Sequence, residues 1–329
     1  MKKINCRIFN LFLPIIFVFL FNANHTQALV VNGADCPMSV HVLDVGKGDC
    51  ILINCNDKYV LIDAGAHAVK DKVVSSLRNL GVSHLDEVII THNHSDHFGG
   101  IAEVFQSFPV QKVILPEQRF SIPVTRLNTL KIPVEYGGSN HSLGELHFTK
   151  LTPVSGLMSH FSNNPTNDDD INDTSQIWKV TFKNKSFLFL GDAALFEIPA
   201  LLSEFGHGNQ LKADVLKVAH HGDSRCTTPQ LLQAVQPAYA VMSTDQHFMN
   251  MRNNETVITN ILQTYKNDIQ IHRTDTDGNI TYATDGNTLV VKHEKDTQGQ
   301  NNLLLHTIPF YHQTPLQKRT QANGSNDNG

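Results

Sequence analysis

Long apolar runs are scarce in this sequence. One stands out, residues 8–21. With Pro14 inside it, this run of about 14 residues falls short of the roughly 20 that a spanning helix needs. The many membrane spans of a transport channel are therefore not expected. Charge is sparse too: Asp, Glu, Lys and Arg make up 17% of the 329 residues, against 40% hydrophobic. That balance argues against wholesale disorder and leaves ample material for a core, between one large domain and two small ones. No internal repeat recurs at solenoid or propeller spacing. Positive charge is in deficit. Residues 1–28 hold three of the 26 basic side chains and none of the 31 acidic ones, so the rest carries 23 against 31, a formal charge of −8. Such a surface weakens non-specific attraction to nucleic acid but leaves room for a local basic groove.

Residues 1–28 combine a basic start (Lys2, Lys3, Arg7), the apolar run, and Thr26-Gln27-Ala28 with small residues at the −3 and −1 positions. This is the pattern of a cleaved secretory signal. It predicts a secreted or periplasmic protein with no stable membrane span after cleavage. No lipid-attachment cysteine follows the run, since Cys6 precedes it. Four cysteines remain, Cys36, Cys50, Cys55 and Cys226. They permit two disulfides in three pairings, or buried free thiols. Cys50 and Cys55 bracket Ile51-Leu52-Ile53. On one strand they would point to opposite faces, which argues against pairing with each other.

Hydrophobic periodicity predicts strands at 39–45, 50–54, 59–62, 87–90 and 110–115, and a helix over 69–80 stopped by Gly81. Residues 116–175 are less regular, with short β-like pieces at 132–136 and 146–151. The polar run 162–174 reads as a loop. Its Asp168-Asp169-Asp170 lacks EF-hand spacing, so a solvated loop is preferred to a calcium site. Further strands are expected at 176–182, 186–190, 214–219, 238–243, 269–272, 279–282 and 288–292, with helices at 195–205, 229–235 and 255–265. Two packed α/β halves emerge, meeting near 160–175. The folded domain is expected to span 36–293. A polar tail, 294–329, is expected to be partly disordered, with an apolar stretch at 303–311 suited to docking or association.

The chemistry gathers at Thr91-His92-Asn93-His94-Ser95-Asp96-His97-Phe98-Gly99-Gly100. Three histidines and an aspartate fall within six residues, between a β-like run and a helix-like one. Imidazole and carboxylate together suit zinc and similar divalent metals. The bland alternative is a polar surface loop, a poor match to His-X-His-X-Asp-His after an apolar strand. Three further signals follow strands: Asp63-Ala64-Gly65, Gly191-Asp192, and Val218-Ala219-His220-His221-Gly222.

In this order, together with Leu43-Asp44-Val45-Gly46-Lys47-Gly48-Asp49 and Arg273-Thr274-Asp275-Thr276-Asp277-Gly278, the motifs resemble the metallo-β-lactamase superfamily. Within it the chain looks most like the hydrolase domain of ComEC-type competence proteins, over roughly 38–292. The resemblance implies an α/β fold, a four-layer αβ/βα sandwich with two divalent metals at one edge. It implies that His92 and His94 bind the first metal, that Asp96 and His97 bind the second with His220, and that Asp192 bridges them. A hydroxide shared by the metals would attack phosphorus or carbonyl carbon. Asp96, Asp192 and His221 form the expected catalytic set, with His221 donating to the leaving group or hydrogen-bonding behind the ligands. Asp63 is expected to orient the metal loop. Asp44 and Lys47 lie in a loop that the family places near the site, where Lys47 meets a substrate phosphate or simply solvent.

Two departures qualify the resemblance. Competence-type proteins commonly carry Asp where this chain has His94. A third ligand for the first metal is not obvious: His141, His147 and His160 lack the usual surroundings, and Asn172-Asp173-Thr174-Ser175 is the better match. The other histidines, His41, His67, His84, His207, His247, His272 and His293, are not assigned as ligands. The expected function is an exported binuclear hydrolase, phosphodiesterase- or nuclease-like, acting on a small-molecule or nucleic-acid phosphodiester. Zinc suits the histidines; manganese suits a more oxygen-rich site. The alternatives are an ester, lactone or amide hydrolase, and a non-catalytic metal-binding protein.

Overall fold

The computed structural model describes residues 29–31, 34–116, 131–152 and 168–298. The expected leader (1–28), His160 and the tail beyond 298, including 303–311, lie outside the described residues.

A short ribbon pairs β1 (Leu29–Val31) with β2 (Ala34–Cys36). One large sheet has eight strands: β3 (Met38–Val42), β4 (Ile51–Cys55), β5 (Lys58–Ile62), β6 (Leu85–Ile89), β7 (Val110–Leu115), β8 (Val134–Tyr136), β16 (Ile280–Thr284) and β17 (Leu289–His293). Their spatial order is 17-16-3-4-5-6-7-8. The other has seven: β9 (His141–Leu143), β10 (Leu146–Lys150), β11 (Trp178–Phe182), β12 (Lys185–Phe189), β13 (Val215–Lys217), β14 (Tyr239–Met242) and β15 (Gln270–Arg273), in the order 15-14-13-12-11-10-9. The sheets therefore divide between β8 and β9, earlier than the expected 160–175. The last hairpin returns to the first sheet, where β16 pairs antiparallel with β3.

The helices are α1 (Lys70–Asn79), α2 (Ser95–Phe98), α3 (Ile101–Ser107), α4 (Asp168–Asn172), α5 (Glu197–Phe205), α6 (Pro229–Val235), α7 (Gln246–Asn250), α8 (Asn254–Tyr265) and α9 (Thr274–Asp277). Three cores stack between four layers. Val73, Leu77 and Phe105 of α1 and α3 pack on the outer face of the eight-stranded sheet. Ile53, Val60, Phe148, Trp178, Phe187 and Tyr282 fill the space between the sheets. Ile198, Leu231, Ile258 and Leu262 of α5, α6 and α8 cover the outer face of the seven-stranded sheet. This is an αβ/βα sandwich. Its central strands are buried on both faces, as β6 is throughout, which is why they read as apolar runs without alternation.

Local chemistry fixes the connections. Asn56 and Asp57 both have positive φ (48° and 62°) in the two-residue turn from β4 to β5, the backbone that such hairpins need. Thr228 caps α6 by accepting from Leu231 N, with Pro229 in the first turn. Asp173 accepts from the N–H groups of Ala194, Phe196 and Glu197 at the start of α5. The polar run expected to be a loop forms α4 over Asp168–Asn172.

Cys50, Cys55 and Cys226 are buried free thiols. Cys50 packs on the helix side of the eight-stranded sheet and Cys55 on its inner side, so β4 holds them on opposite faces. Cys226 belongs to the third core. The disulfide alternative has no counterpart here. Among the described residues no helix is long and apolar enough to cross a membrane.

Candidate metal centre

The centre forms where parallel strands of both sheets end. Past β5 comes Asp63, past β6 Thr91 to His97, past β12 Asp192, past β13 His220 and His221, and past β14 Ser243. In open α/β sheets the carboxyl ends of strands are where functional side chains converge. The backbone is strained there. Asp63, His220 and His221 hold left-handed φ values of 58°, 48° and 56°. Such conformations persist in non-glycine residues only when the surroundings hold them. The His220 N–H donates to Gly191 O at 3.1 Å, and the Asp223 N–H returns to His220 O at 2.8 Å.

Asp192 Oδ2 is the focus. His221 Nε2 lies 3.1 Å from it, His97 Nε2 3.2 Å, and His92 Nε2 and His220 Nε2 each 3.8 Å. Both Asp192 oxygens are buried, yet neither makes a well-angled hydrogen bond. Hydrogen bonds on the far side of the rings fix what points inward. His97 Nδ1 donates to Asp63 Oδ2 at 2.7 Å, and His221 Nδ1 donates to Ser243 O at 3.0 Å. Each neutral ring then turns a bare Nε2 inward, and the two are 3.2 Å apart. Facing lone pairs need a proton or a cation between them. His92 Nε2 and His94 Nδ1 make a second close pair at 3.0 Å. Two groups of donor atoms result: His92, His94 and Asp192; and Asp96, His97 and His221. Orphaned carboxylate oxygens among converging imidazole nitrogens fit divalent cations.

The electrostatics show the same demand for positive charge, which protons on His97 and His221 also meet. Burial opposes charge on His97, but Asp192 and Asp63 hold it protonated well above the usual histidine range. Burial also opposes charge on His221, and Asp192, Asp49 and Asp96 raise it to about 10. His92 is pushed well below its ordinary value, first by burial and then by His97. Asp192 is held well below the carboxylate range; the imidazoles, His221 foremost, outweigh its burial.

His92, His94, Asp96, His97 and Asp192 come together. Of the two adjacent histidines, His221 groups its donor atom with Asp96 and His97, while His220 groups with Asp223 and Cys226. His221 is fully buried and closes on Asp96 and His97, because its Nδ1 is anchored on Ser243 O. His220 leans on the pocket wall, with Nδ1 3.7 Å from Cys226 Sγ and 3.9 Å from Asp223 Oδ2. Asp63 stands behind His97 and also accepts from the N–H and hydroxyl of Thr91. Asn172 is buried, and its Oδ1 has no hydrogen-bond partner. It lines a cavity of about 460 Å³ together with Lys47, His94, Asp96, His220 and Phe248. Lys47 Nζ pairs with Asp96 Oδ2 at 2.5 Å and lies over the Phe248 ring. Asp44 does not join this cluster. It pairs with Lys72 of α1 at 3.0 Å and accepts from Gly46 N. His141 bonds Glu87 and Ser139 O, and His147 bonds Ser142, both on the strands β9 and β10 that end the seven-stranded sheet.

Sequence reasoning missed Lys217 and Ser243. Lys217 Nζ stands 2.9 Å from Asp49 Oδ1 behind His221. A lysine inside an apolar run, as in Val215-Leu216-Lys217-Val218, was the available signal, since a strand so buried requires a partner for it. Phe248, Asp223 and Asn254 line the cavity without any motif to mark them.

Comparison with known proteins follows this geometry. The chain is 25% identical over 268 residues to ComE operon protein 3 of Bacillus subtilis, covering 74% of this chain and 32% of that protein. It is 28% identical over 212 residues to competence protein ComA of Neisseria gonorrhoeae, covering 62% and 27%. The chain thus spans about a third or less of these relatives. A shorter match of 67 residues, 40% identical, links it to hydroxyacylglutathione hydrolase of Aliivibrio salmonicida, covering 20% of this chain and 25% of that protein. Among solved structures, the E377D mutant of CmlA beta-hydroxylase shares the fold with a TM-score of 0.52 at 14% identity, over 74% of this chain and 53% of that one. The family model described as the metallo-beta-lactamase superfamily matches residues 43–247, and on that match the chain belongs to this superfamily.

Proposed function

We propose that this chain is an exported hydrolase that works with two divalent cations and cleaves phosphodiesters. The observation that carries the reading is the convergence of four imidazole nitrogens on one buried carboxylate oxygen that makes no hydrogen bond of its own. His92, His94 and Asn172 would hold one cation, Asp96, His97 and His221 the other, and Asp192 both. The imidazole-rich set suits zinc, and the added oxygen donors suit manganese. Such cations supply an acidified water as nucleophile and stabilise negative charge developing on oxygen.

The chain's own residues do the remaining work. Asp63 and Ser243 fix two rings in the tautomer that turns Nε2 inward. Lys47 and Arg225 both line the cavity, and Lys47, beside Asp96, is suited to meet a phosphate oxygen. His220 lines the same cavity and is the ring placed to meet a leaving group. Similarity to the competence proteins supports the phosphodiester preference, and the basic start, apolar run and small residues of positions 1–28 support export. The local similarity to hydroxyacylglutathione hydrolase favours a second reading, hydrolysis of esters, lactones or amides.

The test is metal content together with turnover of bis(p-nitrophenyl) phosphate, in wild type and Asp192→Asn. Two metals in the centre and chelator-sensitive turnover, lost in the folded variant, are expected. Metals without phosphodiester turnover would move the reading to esters and lactones. A chain that takes up no zinc or manganese would overturn it.

A further inference from the structure

A second histidine cluster lies outside the centre and shares no residue with it. His272 is the third residue of β15, the end strand of the seven-stranded sheet. His293 closes β17, the end strand of the eight-stranded sheet. Their nitrogens, His272 Nδ1 and His293 Nε2, are 2.7 Å apart. Asp277, at the end of α9, brings a carboxylate oxygen to within 4.8 Å of both. The sequence alone did not mark these histidines, because 20 residues separate them and neither lies in a spaced motif.

We infer that His272, His293 and Asp277 form a third metal site, which takes one zinc-like cation and clips the end strands of the two sheets together. At this distance one ring donates an N–H to the other, and a divalent cation held by both nitrogens would take the place of that proton. A transition-metal ion bound by both would part them to roughly 3.3 Å, given metal–nitrogen bonds of about 2.0–2.1 Å. The donor set is two imidazoles and a carboxylate, with water free to complete four-coordination, and it favours zinc over calcium or magnesium.

The surroundings are built in the same way as those of the main centre. His293 Nδ1 lies 3.0 Å from Asp296 Oδ2, so that carboxylate fixes the ring with Nε2 turned toward His272. The His272 ring is walled by Tyr239, near-parallel at 6.1 Å, and by Tyr282, edge-on at 5.9 Å. Asp277 is oriented by the Arg273 N–H, which donates to its Oδ2 at 2.9 Å, and by the Thr276 hydroxyl on its Oδ1. The neighbouring cations are engaged elsewhere. Arg273 forks onto Asp275 and reaches Glu255, and Lys295 Nζ donates to the Asp275 carbonyl. Neither cation stands in for a metal at the cluster.

The experiment is zinc stoichiometry after loading and dialysis, in the full chain and in variants. Wild type should hold one equivalent more than His272→Gln/His293→Gln, whose phosphodiester turnover should be unchanged. Crippling the main centre with His92→Gln/Asp192→Asn should leave this equivalent in place, so the site and the hydrolase reading fail separately. In that crippled background zinc should raise the melting temperature, and adding His272→Gln/His293→Gln should abolish the rise. Should the double histidine variant fold poorly, Asp296→Asn decides, because it leaves all three donors intact. Loss of its support should weaken this zinc by roughly 10–100-fold. Equal zinc content in wild type and the histidine variant, or an unaltered affinity in Asp296→Asn, would overturn the inference.

Discussion

Lys217 and Asp49 form an ion pair of 2.9 Å with side chains 0% and 2% exposed, directly behind the candidate metal centre. Asp49 Oδ1 is also 3.5 Å from His221 Nδ1. Burial alone would push the Asp49 carboxyl up; the Lys217 ammonium, and then His221, bring it down to about 2. Lys217 therefore keeps a negative charge in place beside a ring that faces the candidate centre. Replacing it by Met strands that charge in a dry interior, and removing one partner of a buried pair costs about 3–5 kcal/mol. Lys217→Met should lose that much stability in urea unfolding of the metal-free protein. Lys217→Met/Asp49→Leu should recover a good part of it. If the double variant is no more stable than the single one, the loss comes from packing and the ion pair is not its cause.

Asp63 acts through His97. Asn at this position could still accept from the Thr91 N–H, but its amide would confront the His97 Nδ1 proton. The ring would have to move that proton to Nε2, which faces Asp192 and His221. Asp63→Asn should therefore weaken metal binding at the Asp96–His97 side by roughly 10–100-fold while leaving the fold intact. Competition titration with a chromophoric zinc chelator measures this directly. An affinity within about threefold of wild type would remove Asp63 from its orienting role.

The parts of this fold that could be read in the sequence share a physical cause. The limits of β7 and α6 follow from local signals, a short apolar run closed by Pro116 in one case and a Thr-Pro start in the other. The αβ/βα sandwich is implied by the family resemblance that the order of the motifs carries. What stayed hidden depends on long-range pairing. Nothing local says that β9 and β10 leave the first sheet for the second, or that β16 comes back to pair with β3. The different settings of His220 and His221 are of this kind too. Adjacent residues have the same local claim on a ligand role, and only the fold brings Ser243, 22 positions later, to the Nδ1 of His221. For Asn172, singled out because its segment resembles the family pattern, the structure adds what sequence could not, a buried Oδ1 without a partner.

His141, a rejected ligand, instead predicts a pH effect. Burial works against its charge, but its bond to Glu87 raises it above the ordinary histidine value. Its contribution to stability is then complete below the unfolded value of about 6.5 and is lost as pH rises through the raised folded value. Glu87 is lowered: His141 and Lys112 outweigh its burial. Its contribution holds above about 4.3 and is lost as pH falls through the lowered folded value. The gap in unfolding free energy between wild type and His141→Gln should be widest from about pH 5 to 6 and narrow as pH rises through the raised folded value. A gap of constant size over that range would show that His141 acts by packing on Phe148.

Gly48 ties the loop after β3 to the metal loop. Its φ is 141°, and a Cβ there would run into the backbone carbonyl oxygen of Asp96. Its own carbonyl accepts from Ser243 Oγ at 2.5 Å, on the residue whose backbone oxygen holds His221. Alanine at 48 must therefore push against the segment that carries Asp96 and His97, with backbone on both sides and no flexible side chain to yield. Gly144 is the control. Its φ is 59°, but an added Cβ would meet nothing closer than Lys58 Cγ at 3.8 Å. Gly144→Ala should cost only the left-handed backbone preference, about 1–2 kcal/mol. Gly48→Ala should cost roughly 2–4 kcal/mol in denaturant unfolding and should also weaken zinc binding, because the collision displaces Asp96. Equal losses in the two variants, with zinc affinity untouched in both, would mean that the loop yields without moving Asp96.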